Sequence, residues 1–91
     1  MKENVIAFDF YNGGSSDVVF IVEPWADEFN VPAKSKAELY IMFTSLGKIE
    51  TSISDGFFTI WLWEGCHAKL LIDGEDQPGS FSIPAPNISQ E

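Results

Sequence analysis

Arginine is missing altogether from this sequence, and five lysines stand against fourteen aspartates and glutamates. The formal net charge of −9 on 91 residues repels phosphate backbones and anionic headgroups, so nucleic acid and acidic membrane surfaces are poor partners. Without a guanidinium the chain also lacks the usual bidentate clamp for phosphate and carboxylate ligands. Cysteine and histidine occur once each, as Cys66 and His67. A single thiol forms no intramolecular disulfide and no thiolate zinc cage, and a lone free cysteine suits a reducing cytoplasm. No apolar run approaches the roughly 18 residues of a membrane-spanning helix. Met1-Lys2-Glu3-Asn4 passes straight into an alternating pattern, with no apolar stretch of signal-peptide type.

Aromatic and aliphatic residues are plentiful by contrast. The chain is 45% hydrophobic and 14% aromatic, with eight Phe, three Trp and two Tyr. That content supports one folded domain with a rich core, since a chain of this size buries somewhat over ~60% of its unfolded surface. The acidic groups keep so apolar a domain in solution. The domain is expected over 1–80, with a short edge strand at Phe81 to Ile83 opening a flexible tail over 81–91.

Alternation with a period of two dominates the pattern and predicts strands. Lys2 to Tyr11 sets Ile6, Phe8 and Phe10 against Val5, Ala7 and Asp9. Asn12-Gly13-Gly14-Ser15-Ser16 then turns the chain, predicting a hairpin to Asp17–Glu23, whose unbroken Val18–Val22 run suggests a central strand covered on both faces. Pro24 stops that strand. Glu23 to Pro32 reads as irregular or as holding a short extended piece near Phe29 to Val31, with Trp25 folded back as a lid over one end of the core. Good helix formers occur over Ala33 to Phe43, but β-branched and aromatic residues favour a strand over Ala37 to Thr44. Lys48 to Ser54 follows, then an Asp55-Gly56 hairpin signal. The most apolar stretch, Phe57 to Asp73, reads as a central hairpin folded at Glu64-Gly65.

Little in this pattern carries chemistry. Cys66 and His67 are adjacent, so strand parity places them on opposite faces and they share neither a metal ion nor an activating hydrogen bond. No catalytic residues and no cofactor are assigned. Two binding readings remain. In the first, Trp25, Tyr40, Trp61 and Trp63 contribute to an apolar contact face for a partner protein or a second copy, with Phe57, Thr59, Trp61 and Trp63 sharing one side of a strand. In the second, the acidic loops Asp27-Glu28 and Asp73, Glu75 and Asp76 bind a small ligand or a divalent cation such as calcium through oxygen ligands, although their spacing is not that of an EF-hand.

Two local resemblances add to this. Phe20-Ile21-Val22-Glu23-Pro24-Trp25-Ala26-Asp27-Glu28-Phe29, followed by Val31-Pro32, resembles a group of small uncharacterised bacterial proteins with a Val-Glu-Pro-Trp motif. That resemblance implies a bacterial source and a single domain, and it carries over no site residues. Phe29 to Leu39 is similar to the strand–turn–strand of cupredoxins, with Lys34 where that family usually has a small turn residue. The family's copper ligands, two histidines with a cysteine and usually a methionine, cannot be assembled from one histidine. The expected fold is therefore all-β: an antiparallel β-sandwich of cupredoxin or immunoglobulin type, or a small barrel, of six or seven strands.

Overall fold

Period-two alternation becomes eight β-strands among the residues described by the computed structural model, 3–82 with 84 and 85. They are β1 (Asn4–Tyr11), β2 (Val18–Glu23), β3 (Asp27–Val31), β4 (Lys36–Phe43), β5 (Glu50–Ser54), β6 (Phe57–Trp61), β7 (His67–Ile72) and β8 (Glu75–Gln77). Two four-stranded sheets result, ordered β1-β4-β7-β8 and β3-β2-β6-β5. They stack as a sandwich and do not close into a barrel. Every pairing is antiparallel except β2 with β6, which run parallel. The region of helix-forming residues is strand, because alternate side chains of β4, Ala37, Leu39, Ile41 and Phe43, are buried on one face.

The inner faces supply the core. Phe20, Val22, Val31, Leu39, Ile41, Ile60 and Leu70 are fully buried, and each such side chain contributes about 1.5–3 kcal/mol through loss of apolar contact with water. Across the sandwich, Phe10 and Phe58 stack with ring centroids 4.5 Å apart, and Phe20 lies 5.6 Å from each of them.

Two of the three expected hairpins are absent, whereas the one at Asp55-Gly56 joins β5 to β6 as expected. β1 and β2 lie in different sheets, because the bend between them is built on a buried side chain and not on glycine. Asn12 donates its amide to the carbonyls of Ser16 (2.9 Å) and Val31 (3.0 Å) and accepts the Gly14 N–H (3.1 Å). These bonds arch the chain from one layer to the other. β6 and β7 are likewise split between sheets. Phe58, Ile60 and Leu62 on one run and Ala68, Leu70 and Ile72 on the other all point inward. Two runs can face each other only from opposite layers, so residues 62–66 cross between them.

β2 instead pairs with β3, across a turn at Pro24-Trp25-Ala26 in which the Glu23-Pro24 peptide is cis and Ala26 has φ 63°. The short extended piece expected near Phe29 to Val31 is present as β3 and begins earlier, at Asp27. At the other end, Asp73 (φ 50°) and Gly74 (φ 84°) both adopt the positive φ that a tight hairpin requires, and they return the chain into β8 where an open acidic loop was expected. The strand expected over Phe81 to Ile83 is a 3-10 turn over Ser80–Ser82, with Ile83 and 86–91 outside the described residues. Phe81 and Ala85 belong to the core. Ala85 donates to the Cys66 carbonyl (2.8 Å) and accepts from the Gly65 N–H (3.0 Å).

Candidate functional site

Strand register decides which aromatic residues are available. β6 ends at Trp61, so its inner face is Phe58 and Ile60, and its outer face is Phe57, Thr59 and Trp61. In register these outer positions lie beside Val19, Ile21 and Glu23 of β2 and Ser54, Ser52 and Glu50 of β5. β3 adds Asn30 beside Val19 and Glu28 beside Ile21. The outer face of this sheet is thus an apolar strip of Val19, Ile21, Phe57, Thr59 and Trp61. Phe57 is 46% exposed and Trp61 37%. Carboxylates border it: Glu23 and Glu50 flank Trp61 on both sides, and Glu28 stands at the rim. No lysine or histidine occupies any of these positions.

The other three candidate aromatics do not join that strip. Trp63 lies beyond the end of β6, where strand parity no longer holds. Its ring meets Phe43 edge-on at 5.3 Å, and its Nε1–H donates to the Ser45 carbonyl at 2.8 Å. Trp25, on the β2–β3 turn, packs edge-on against Phe81 at 6.3 Å, in keeping with the lid expected of it. Tyr40 lies on the outer face of the opposite sheet, between Ala7 and Lys69. Of the four, Trp61 alone faces outward from the β3-β2-β6-β5 sheet. Val19 and Ile21 had not been singled out. The unbroken Val18–Val22 run is expected to be covered on both faces, but only Phe20 and Val22 are buried, while Val19 and Ile21 stay half-buried on the outer face.

A concavity of about 460 Å³ lies where β8 ends and β7 continues. Its lining includes Met42, His67, Lys69, Asp76, Gln77 and Phe81. The imidazole is already engaged, His67 Nε2 lying 2.6 Å from a Glu3 carboxylate oxygen.

The acidic loops do not converge. Among the described residues no three side chains of His, Cys, Asp or Glu are grouped so as to hold a metal ion. Asp27 accepts the Ser80 N–H at 2.6 Å and so ties the 3-10 turn to β3. Asp73 accepts the Lys36 N–H at 3.0 Å, and its carboxyl is held below the usual range by the Ser35 hydroxyl and that same N–H. Glu75 and Asp76 are exposed on β8.

Cys66 is buried, with Sγ 2.9 Å from the Trp63 carbonyl. Burial pushes its thiol pKa up, away from the thiolate that nucleophilic chemistry needs. No helix of the described residues is long and apolar enough to cross a membrane. No known family model matches this chain, and neither a curated protein nor a solved structure matches it.

Proposed function

We propose that the protein is a non-catalytic binding module that recognises a partner protein through the outer face of the β3-β2-β6-β5 sheet. One observation carries this reading: Phe57 and Trp61 stand exposed on a strip continuous with Val19 and Ile21, with Glu23, Glu28 and Glu50 at its border. An apolar centre rimmed by charge has the composition of a contact surface. Tryptophan contributes disproportionately to such contacts because it buries a large rigid area at low entropic cost.

The border charge selects the partner. Three carboxylates, with no lysine or histidine at the positions paired beside them, favour an apolar surface that carries lysine or arginine, and they disfavour acidic surfaces. The chain's own net charge of −9 makes this face a poor match for itself. The free, buried Cys66 supports a reducing compartment such as the cytoplasm.

Selection of a displayed random-peptide library tests the reading. On the wild-type protein it is expected to enrich peptides with net positive charge and apolar residues. On a Phe57→Ser/Trp61→Ser variant that enrichment disappears. Equal enrichment on both proteins, or enrichment of acidic peptides, overturns the proposal.

A further inference from the structure

The sandwich has four sheet edges, and they are not equally protected. β8 is three residues long, carries Glu75 and Asp76 and is followed by Pro78; β3 carries Asp27 and Glu28 and is followed by Pro32. Short length, charge and proline all discourage strand addition. β1 and β5 have no proline or lysine, and each holds a single acid, Asp9 and Glu50.

These two unguarded edges lie on the same side of the molecule. β1 covers β6, since Phe8 and Phe10 stack on Phe58 at 6.1 and 4.5 Å. β5 is the next strand beyond β6, so it projects past β1 with no strand of the described residues above it. Ile53 shows this directly: it pairs in register with Phe58 and faces inward, yet is 77% exposed. Ile6, Phe8 and Phe10, the inward residues of β1, are only half-buried for the same reason. At the opposite side the chain closes its own sandwich, with Phe81 fitted against Phe29 and Trp25.

We propose that this stepped side is a self-association surface, on which a second copy docks by two-fold symmetry with each copy's β5 laid beside the other's β1. A strand set beside β1 in its own sheet covers Ile53 from above. The second copy's β1 cannot be that strand, because the projecting β5 would then occupy the place of the second copy's β6. The second copy's β5 fits, since each projecting strand fills the step of the other, as in a half-lap joint.

The directions agree. Phe10 packs on Phe20 across the arch at Asn12, so β2 runs opposite to β1; β6 is parallel to β2 and β5 antiparallel to β6. β5 therefore runs with β1, and an axis along the strands preserves that direction. The new ladder is parallel, like that of β2 and β6.

The side chains agree as well. Ile53 lies level with Phe58, and hence with Phe8 and Phe10, so the two Ile53 side chains meet on the axis between the half-buried phenylalanines of both copies. On the outer face this level sets Glu50 beside Val5 or Ala7 of the other copy, and Asp9 beside Ser52 or Ser54. No like charges are directly opposed, and Asp9 already has Lys36 at 3.8 Å. One joint removes both unguarded edges of both copies, while the outer strip at Trp61 stays free.

Sedimentation equilibrium over a range of protein and salt concentrations tests this. A monomer–dimer equilibrium is expected, and it strengthens with salt because two bodies of charge −9 repel until screened. Binding of a basic partner at the Trp61 strip weakens with salt, so failure of one surface is distinguishable from failure of the other. Ile53→Asp leaves the monomer folded, as its site is exposed, and raises the dissociation constant about tenfold or more by placing two carboxylates on the axis. Amide exchange in β1 and β5 slows with protein concentration, whereas exchange in β3 and β8 does not. A monomer at millimolar concentration in high salt overturns the proposal. So does a dimer indifferent to Ile53→Asp, or one dissociated by Phe57→Ser/Trp61→Ser.

Discussion

Gly47 lies directly beneath the indole of Trp63: a Cβ at this position would stand 2.1 Å from the ring's Cγ. No side chain can occupy that space while the indole keeps its edge-on contact with Phe43 and its bond to the Ser45 carbonyl. Gly47→Ala is therefore expected to destabilise the fold by about 1–3 kcal/mol, the range for overpacking a well-packed site. Urea unfolding followed by tryptophan fluorescence measures it. In a Trp63→Ala background the same substitution should cost much less, because the obstructing ring is gone, and strictly additive effects of the two changes would refute the contact.

Asn12 is the polar counterpart. It is 4% exposed and holds the carbonyls of Ser16 and Val31 with its amide. Asn12→Ala strands the Val31 carbonyl, whose bond to Asn12 is buried, while the Ser16 carbonyl is partly open to water; a buried group left without a partner costs about 1–3 kcal/mol. A loss of about 1–3 kcal/mol is expected on that basis. Asn12→Asp should be worse at neutral pH, since a carboxylate cannot donate to either carbonyl and brings an unpaired charge into a buried site. Equal midpoints for wild type and Asn12→Ala in urea would show that the arch is held by other means.

Much of the architecture was legible in the sequence because alternation is a local property. Phe8, Phe10, Leu39, Ile41 and Leu70 point inward as their parity indicates. What alternation cannot encode is which strand lies in which layer. The Gly13-Gly14 turn and the Glu64-Gly65 turn both resemble hairpins, yet each joins strands of different sheets. The deciding groups, Asn12 in the first and the inward-facing pair Leu62 and Cys66 at the second, act through contacts distant in sequence. β8 escaped notice because three residues are too few to show a period. The candidate site was legible in part. The outward position of Phe57 and Trp61 follows from strand parity, whereas Trp63 departs from it two residues past the end of β6, and no local pattern marks that end.

Asp73 offers a pH-dependent test. Its folded pKa lies below the ordinary value of 3.8, because the Ser35 hydroxyl and the Lys36 N–H both favour the ionised form. A carboxylate of this kind contributes stability that is fully present above the unfolded value and is lost as pH falls through the folded one. Asp73→Asn keeps a residue that tolerates φ 50° but removes the charge. The stability difference between wild type and variant should be level from neutral pH down to about 4 and then close as the medium becomes more acid. Thermal midpoints collected across this range settle it, and a difference that is constant to the acid end would show that the hydrogen bonds do not depend on ionisation.

Trp61 should matter less to folding than its size suggests. Phe20, on the inner face of β2 and paired in register with Phe58, is fully buried, and Phe20→Ala should cost about 3–5 kcal/mol through lost burial and the cavity it leaves. Trp61 stands on the outer face between its cross-strand neighbours Glu23 and Glu50, where each such pair contributes about 0.2–1 kcal/mol. Trp61→Ser is accordingly expected to lower stability by no more than about 1–2 kcal/mol, and Phe57→Ser by a similar amount. Chemical unfolding of both variants beside Phe20→Ala makes the comparison. If Trp61→Ser proved as damaging as Phe20→Ala, its ring would belong to the core and the outer strip would lose its claim as a binding surface. A small cost would leave the exposed indole without a role in the fold, as expected of a side chain that serves recognition.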